Sequence, residues 1–218
     1  MNTSNRKENQ LISFLLFRTF IGAIGIALPI ILVIANSFYV GSFDIQDSIS
    51  DYYQTRVRDL FVGILFILGI FLLSYRGYAR MDNIISSLGC FFALGVALFP
   101  NQNPLVSVQI IHFASAGLMF SVFIYFSLWL FRKGKAKVDR SPQKNRRNRI
   151  YLICGILMAI FILCIGLSFI IFNEEQRSAC KLIFVFETLA LWTFGISWLT
   201  KGKVMWQFFR LHYIQKPI

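Results

Sequence analysis

Two ionisable residues stand inside apolar sequence and are the first to weigh for chemistry. Glu187 lies about six residues into the apolar run 182–200, and His112 about one turn into the run 108–131. A carboxylate facing lipid costs several kcal/mol, so Glu187 must turn toward other helices and either find a cation or stay protonated. The stretch 48–59, SISDYYQTRVRD, lies beside these runs on the same expected side of a membrane and concentrates charge between two apolar segments. Ser50, Asp51, Arg56, Arg58, Asp59, His112, Ser115 and Glu187 are therefore expected to line an outward-opening polar pocket for a lipid headgroup, an ion or a small solute. The competing expectation is structural, with Glu187 paired to Arg56 or Arg58 and His112 hydrogen-bonded to a backbone carbonyl, holding the bundle together.

His112 and Ser115 are three residues apart and share a helical face, the spacing a nucleophile and its base could use. An orienting acid would have to come from Glu187 or Asp59 on another helix, so hydrolase chemistry ranks below binding. No metal or cofactor is expected. The other histidine, His212, lies in the tail, and Cys90, Cys154, Cys164 and Cys180 have neither zinc nor redox spacing.

The elements that must position these residues follow from composition. Of 218 residues, 56% are hydrophobic, 24 are phenylalanine and 15% are charged, with mean hydropathy +0.63, more apolar than a water-soluble domain of this size. The expected fold class is all-α, a single polytopic membrane domain of six helices spanning about 19–40, 60–78, 84–100, 108–131, 150–172 and 182–200. A short interfacial helix is expected over 204–218. Ala114, Ala116 and Gly117, with Gly89, Ala93, Gly95 and Ala97 opposite, should bring the third and fourth helices close. Tyr75, Tyr78, Trp129, Tyr151, Trp198 and Trp206 fall near run ends, as an interfacial aromatic belt would place them, while Trp192 should pack deeper.

The formal charge of +12 suggests nucleic acid only if the cations share one face, and here they alternate with apolar runs. Of 22 Lys/Arg residues, 18 fall in the N-terminal segment, the 76–80 turn, the 132–149 loop and the tail, leaving 4 on the opposite side. Both termini are therefore expected in the cytoplasm, and a bacterial plasma membrane is the expected location. The 132–149 loop reads as a solvated topogenic loop that could touch anionic lipid; no nucleic-acid partner is expected.

Ile49-Ser50-Asp51 in the first outer loop, followed by Asp59 and then Phe61 entering the second run, resembles the first-loop signature of the DRAM/Frag/Sfk family of six-span membrane proteins. A related bacterial family of unknown function is similar in hydropathy. Tyr52 and Tyr53 replace the family's usual small turn residues, and Arg58 stands where it has proline. The resemblance implies roles in lipid or membrane homeostasis. The favoured function is thus a non-enzymatic membrane protein recognising lipid headgroups. A small proton- or cation-coupled transporter or channel subunit is the first alternative, and a membrane-embedded lipid hydrolase or transferase the second.

Overall fold

A computed structural model describes residues 3–75, 77, 79–133 and 141–202, with side chains from residue 15 onward. The interfacial helix expected over 204–218, with Trp206 and His212, lies outside the described residues, as do Tyr78 and the 134–140 part of the basic loop. Of the described residues, 84% are helical and none lies in a strand. Seven α-helices follow in order: α1 (Thr3–Val40), α2 (Arg58–Ser74), α3 (Arg80–Leu98), α4 (Val106–Leu128), α5 (Pro142–Ile171), α6 (Glu174–Ala179) and α7 (Leu182–Gly202). Short 3₁₀ turns occupy Ser50–Gln54 and Leu130–Arg132.

Among the described residues, five segments are long and apolar enough to cross a membrane: Leu15–Val40, Arg80–Leu98, Val106–Arg132, Pro142–Ile171 and Leu182–Gly202. The remaining long helix, α2, has 17 residues, about 25 Å at helical rise. Its apolar run stops at Ser74, where Tyr75 turns extended (ψ 130°), rather than continuing to residue 78.

Two helix boundaries differ from expectation for capping reasons. Ser141 accepts a hydrogen bond from the Lys144 amide and Pro142 takes the first helical position, so α5 starts eight residues before its apolar run and residues 142–149 are helix rather than loop. Asn173 and Gln176 form a reciprocal capping box that turns the acidic connection into α6.

Helices neighbouring in sequence pack side by side from α1 to α5, and α7 closes the circle between α5 and α1. The closure is tight because it is built from glycine: a Cβ on Gly22 would lie 2.8 Å from the Gly195 carbonyl oxygen, and one on Gly195 would lie 2.7 Å from that of Gly22. Phe123 of α4 stacks on Phe194 of α7 at 3.9 Å between ring centroids, filling the middle. Outward faces carry large exposed apolar side chains such as Phe38, Phe91, Leu163 and Ile170, the surface that hydrocarbon would cover.

The small residues divide their roles. Ala93 and Ala97 are buried, Gly95 faces Ser115 and Gly89 faces Val122, so the α3–α4 contact forms as expected. Gly117 instead has nothing within 4 Å of its missing Cβ and lines a cavity, and Ala114 is exposed. The aromatic expectation is corrected too. Tyr75, Tyr151 and Trp198 are buried in one edge-on cluster with Phe126 and Phe131 rather than forming a belt, whereas Trp192, expected deep, is 38% exposed. Trp129, 57% exposed, keeps the belt position.

Candidate functional site

The segment between α1 and α2 is the hub of one end of the bundle. It leaves α1 through Gly41, whose φ of +77° favours glycine, and is pinned by Asp44, which accepts from Asn36 Nδ2 (3.1 Å) and Gln46 Nε2 (2.6 Å). Residues 47–51 then touch every neighbouring element. The Asp47 carbonyl accepts from the Phe184 amide at 2.9 Å, and its carboxylate accepts from Ser178 (2.9 Å) and Lys181 (2.6 Å). Lys181 reaches it from a left-handed backbone conformation, φ 49°, in the turn between α6 and α7. Burial works to raise the Asp47 carboxyl, but the Lys181 and Ser178 hydrogen bonds and the Lys181 charge outweigh it and hold the group below its ordinary value. Tyr52, fully buried beneath this segment, has its phenol pushed up by burial.

The next three residues carry the contacts that matter for chemistry. The Ile49 amide donates to Glu187 Oε2 at 2.6 Å. Ser50 Oγ lies 3.0 Å from His112 Nε2, while His112 Nδ1 lies 2.6 Å from the Phe99 carbonyl. A carbonyl only accepts, so Nδ1 carries a proton, and in the neutral ring Nε2 is left to accept from the Ser50 hydroxyl. Asp51 Oδ1 accepts from Asn101 Nδ2 (2.6 Å) and Gln102 Nε2 (2.8 Å), and its Oδ2 from Ser48 Oγ (2.8 Å). The Asp51 charge acts on both Glu187 and His112.

These groups form the polar end of a cavity of about 490 Å³. Asp47, Ser48, Ser50, Asp51, Asn101, Gln102, His112 and Glu187 line that end, with Glu174, Arg177 and Ser178 on the α6 side. Phe113, Phe120, Ile162, Ile165 and Phe169 make the apolar remainder between α4 and α5. Gly117 and Gly166 leave room on both helices, since a Cβ on either would meet nothing within 4 Å.

Of the residues singled out from sequence, the structure therefore brings together Ser50, Asp51, His112 and Glu187. It does not bring in the others. Arg58 is exposed; its guanidinium donates to Tyr53 Oη (2.9 Å) and lies 4.6 Å from that ring's centroid. Arg56 is also exposed, and neither arginine pairs with Glu187 among the described residues. Asp59 sits in the first turn of α2, where a carboxylate complements the helix dipole. Ser115 is buried against Gly95 of α3, so the hydroxyl within reach of His112 belongs to Ser50. Asp47, Asn101 and Gln102 were missed. A short Asn-Gln-Asn tip between prolines was the available signal, but its partner lies fifty residues upstream.

The described residues contain no cluster of three or more His, Cys, Asp or Glu able to hold a metal. Comparison with known proteins returns no matching family model, curated protein or solved structure. Fold and site together define, among the described residues, a helical bundle with five helices long and apolar enough to cross a membrane and a polar-ended, apolar-walled cavity at one end.

Proposed function

We propose that the cavity binds the polar head of a membrane amphiphile that brings hydrogen-bond donors, an amine or a hydroxyl-rich group, with its chain lying between α4 and α5. One observation carries this reading: around Asp51 and Glu187 the polar end offers acceptors that no cation meets among the described residues. Among the described residues, Asp51 and Glu187 are met by neutral donors alone, and Asn101 Oδ1, on a residue only 6% exposed, has no hydrogen-bond partner. Buried acceptors left unmatched are costly, and an ammonium or hydroxyl head supplies the missing donors. Arg177, also in the lining, would face the phosphate of such a lipid. In this reading α2 is a sixth, short span, both termini are cytoplasmic by the charge asymmetry, and the cavity opens to the outer leaflet. The 49–51 tripeptide that resembles the DRAM/Frag/Sfk loop is then the part of the chain that grips the ligand.

The test is headgroup competition on purified protein in nanodiscs, read by native mass spectrometry. Ethanolamine phospholipid should be retained in preference to its N-trimethylated counterpart, which has the same charge and no donors. Equal retention of the two would remove the basis of the proposal.

The Ser50–His112 geometry favours a second reading. Ser50 Oγ could attack an ester carbonyl as its proton passes to His112 Nε2. That proton would leave with the alcohol, and water would then release the acid from the acyl-serine. The Phe99 carbonyl holds the ring in place of a carboxylate. Acyl-ester turnover lost in Ser50→Ala and kept in Ser115→Ala would favour this reading over binding alone.

A further inference from the structure

The opposite end of the bundle has the inverse chemistry. Arg18 of α1, Lys133 after α4, Lys144 and Arg147 of α5 and Lys201 of α7 converge there, and Asp82, fully buried, bonds Lys133. Lys144 Nζ donates to the Lys133 carbonyl at 3.2 Å, and the charges of Arg18, Lys144 and Arg147 all act on Lys201. The floor is aromatic: Arg18 lies 5.4 Å from the Tyr75 ring centroid, and Lys201 Nζ lies 5.0 Å from that of Phe131 and 5.9 Å from that of Tyr151.

Topology alone needs basic residues only in water. Here Lys201 is 9% exposed and Asn148 8% exposed, so these groups are built in rather than solvated. Asn148 shares its α5 face with Lys144 and Tyr151, four residues before it and three after, yet among the described residues both its Nδ2 and Oδ1 lack partners. The Nε atoms of Arg18 and Arg147 are likewise buried and unpartnered. Donors gathered among excess cations, beside an unmatched amide, are the complement of a phosphate with a neighbouring hydroxyl.

We propose that this end binds a phosphate-bearing group, from an anionic phospholipid head or a soluble phosphate, through Arg18, Arg147 and Asn148. The site is separate from the cavity, and the proposal does not depend on what the cavity binds. Full-length protein would be offered equal amounts of phosphatidic acid, whose head is a bare phosphate without amine or glycerol hydroxyls, and phosphatidylcholine, with retained lipid read by native mass spectrometry. In parallel, unfolding in lipid-free detergent would be followed with inorganic phosphate and with sodium chloride at matched ionic strength.

Wild type should prefer phosphatidic acid by roughly tenfold or more, a difference of the size that charge-assisted bonds supply. Arg18→Gln combined with Arg147→Gln should erase the preference, and Arg58→Gln, which removes an exposed cation outside both sites, should leave it intact. Asn148→Asp provides a folded control: its carboxylate would relieve the crowded cations and raise the unfolding temperature while excluding the anion. Stabilisation by phosphate over chloride without lipid retention would identify the soluble source of the same chemistry. The proposal fails if wild type shows neither effect, or if Asn148→Asp is stably folded and still keeps the full preference.

Discussion

Whether Glu187 holds a ligand or merely holds the bundle together can be decided by comparing two substitutions. The carboxylate accepts one strong hydrogen bond, from the Ile49 amide at 2.6 Å, and makes no ion pair among the described residues. Glu187→Gln keeps an oxygen in the same place for that amide and removes only the charge. Its effect on stability should stay within about 1 kcal/mol, the difference between a charged and a neutral acceptor. Glu187→Ala strands the Ile49 N–H and should cost about 1–3 kcal/mol. At roughly 2–4 °C per kcal/mol for a chain of this length, the alanine variant should unfold several degrees lower while the glutamine variant hardly moves. Binding should not separate the two variants. Loss of a charge-assisted contact to an ammonium head, about 1.5–3 kcal/mol, weakens ethanolamine-lipid retention by roughly 10- to 150-fold in both variants. The readouts are thermal unfolding in detergent and competitive lipid retention in nanodiscs. If Glu187→Gln lowers stability as far as Glu187→Ala does, with headgroup preference untouched, the carboxylate is structural and the ligand reading collapses.

Two further outcomes test the helix packing and the segment between α1 and α2. Gly22→Ala pushes a Cβ to 2.8 Å from backbone atoms of Gly195 and Leu199, which neither helix can relieve without moving apart, and should cost about 1–3 kcal/mol. Gly117→Ala meets only open space and should be neutral or stabilising by about 0.5–1 kcal/mol, so chemical unfolding of the two variants should shift in opposite directions. Asp47, held below its ordinary value of 3.8 by Lys181 and Ser178, stabilises the fold above that pH. The contribution should disappear as pH falls through the depressed folded value, and Asp47→Asn should flatten that acid limb of a stability–pH profile.

The helices were legible because apolar runs long enough to span hydrocarbon admit few alternatives. Where boundaries moved, the cause was a local cap whose letters were present: Ser141-Pro142 ahead of α5, and Asn173 with Gln176 around α6. The burial of Tyr75, Tyr151 and Trp198 was not legible. An aromatic near a run end reads the same whether it faces lipid headgroups or a neighbouring helix, and only the rotation of each helix decides. The same ambiguity hid Gly117, which shares its sequence neighbourhood with the small residues that do pack against α3.

The partition of the candidate site follows a sharper rule. Arg56 and Arg58 drew attention because a buried carboxylate is expected to need a countercharge. Glu187 is met instead by a backbone N–H from Ile49, a donor that every residue except proline carries and that no sequence pattern can mark. His112 is likewise fixed by a backbone carbonyl, which left its second nitrogen for Ser50 rather than for Ser115 on its own helix. Side-chain chemistry in sequence therefore singled out Glu187 and His112 inside apolar helices, while the main chain decided which groups they face. At the polar end of the cavity that decision leaves acceptors in excess, as the partnerless Asn101 Oδ1 shows. An amine or hydroxyl head answers this excess with donors, which is why its donor count, rather than its charge, should govern selectivity.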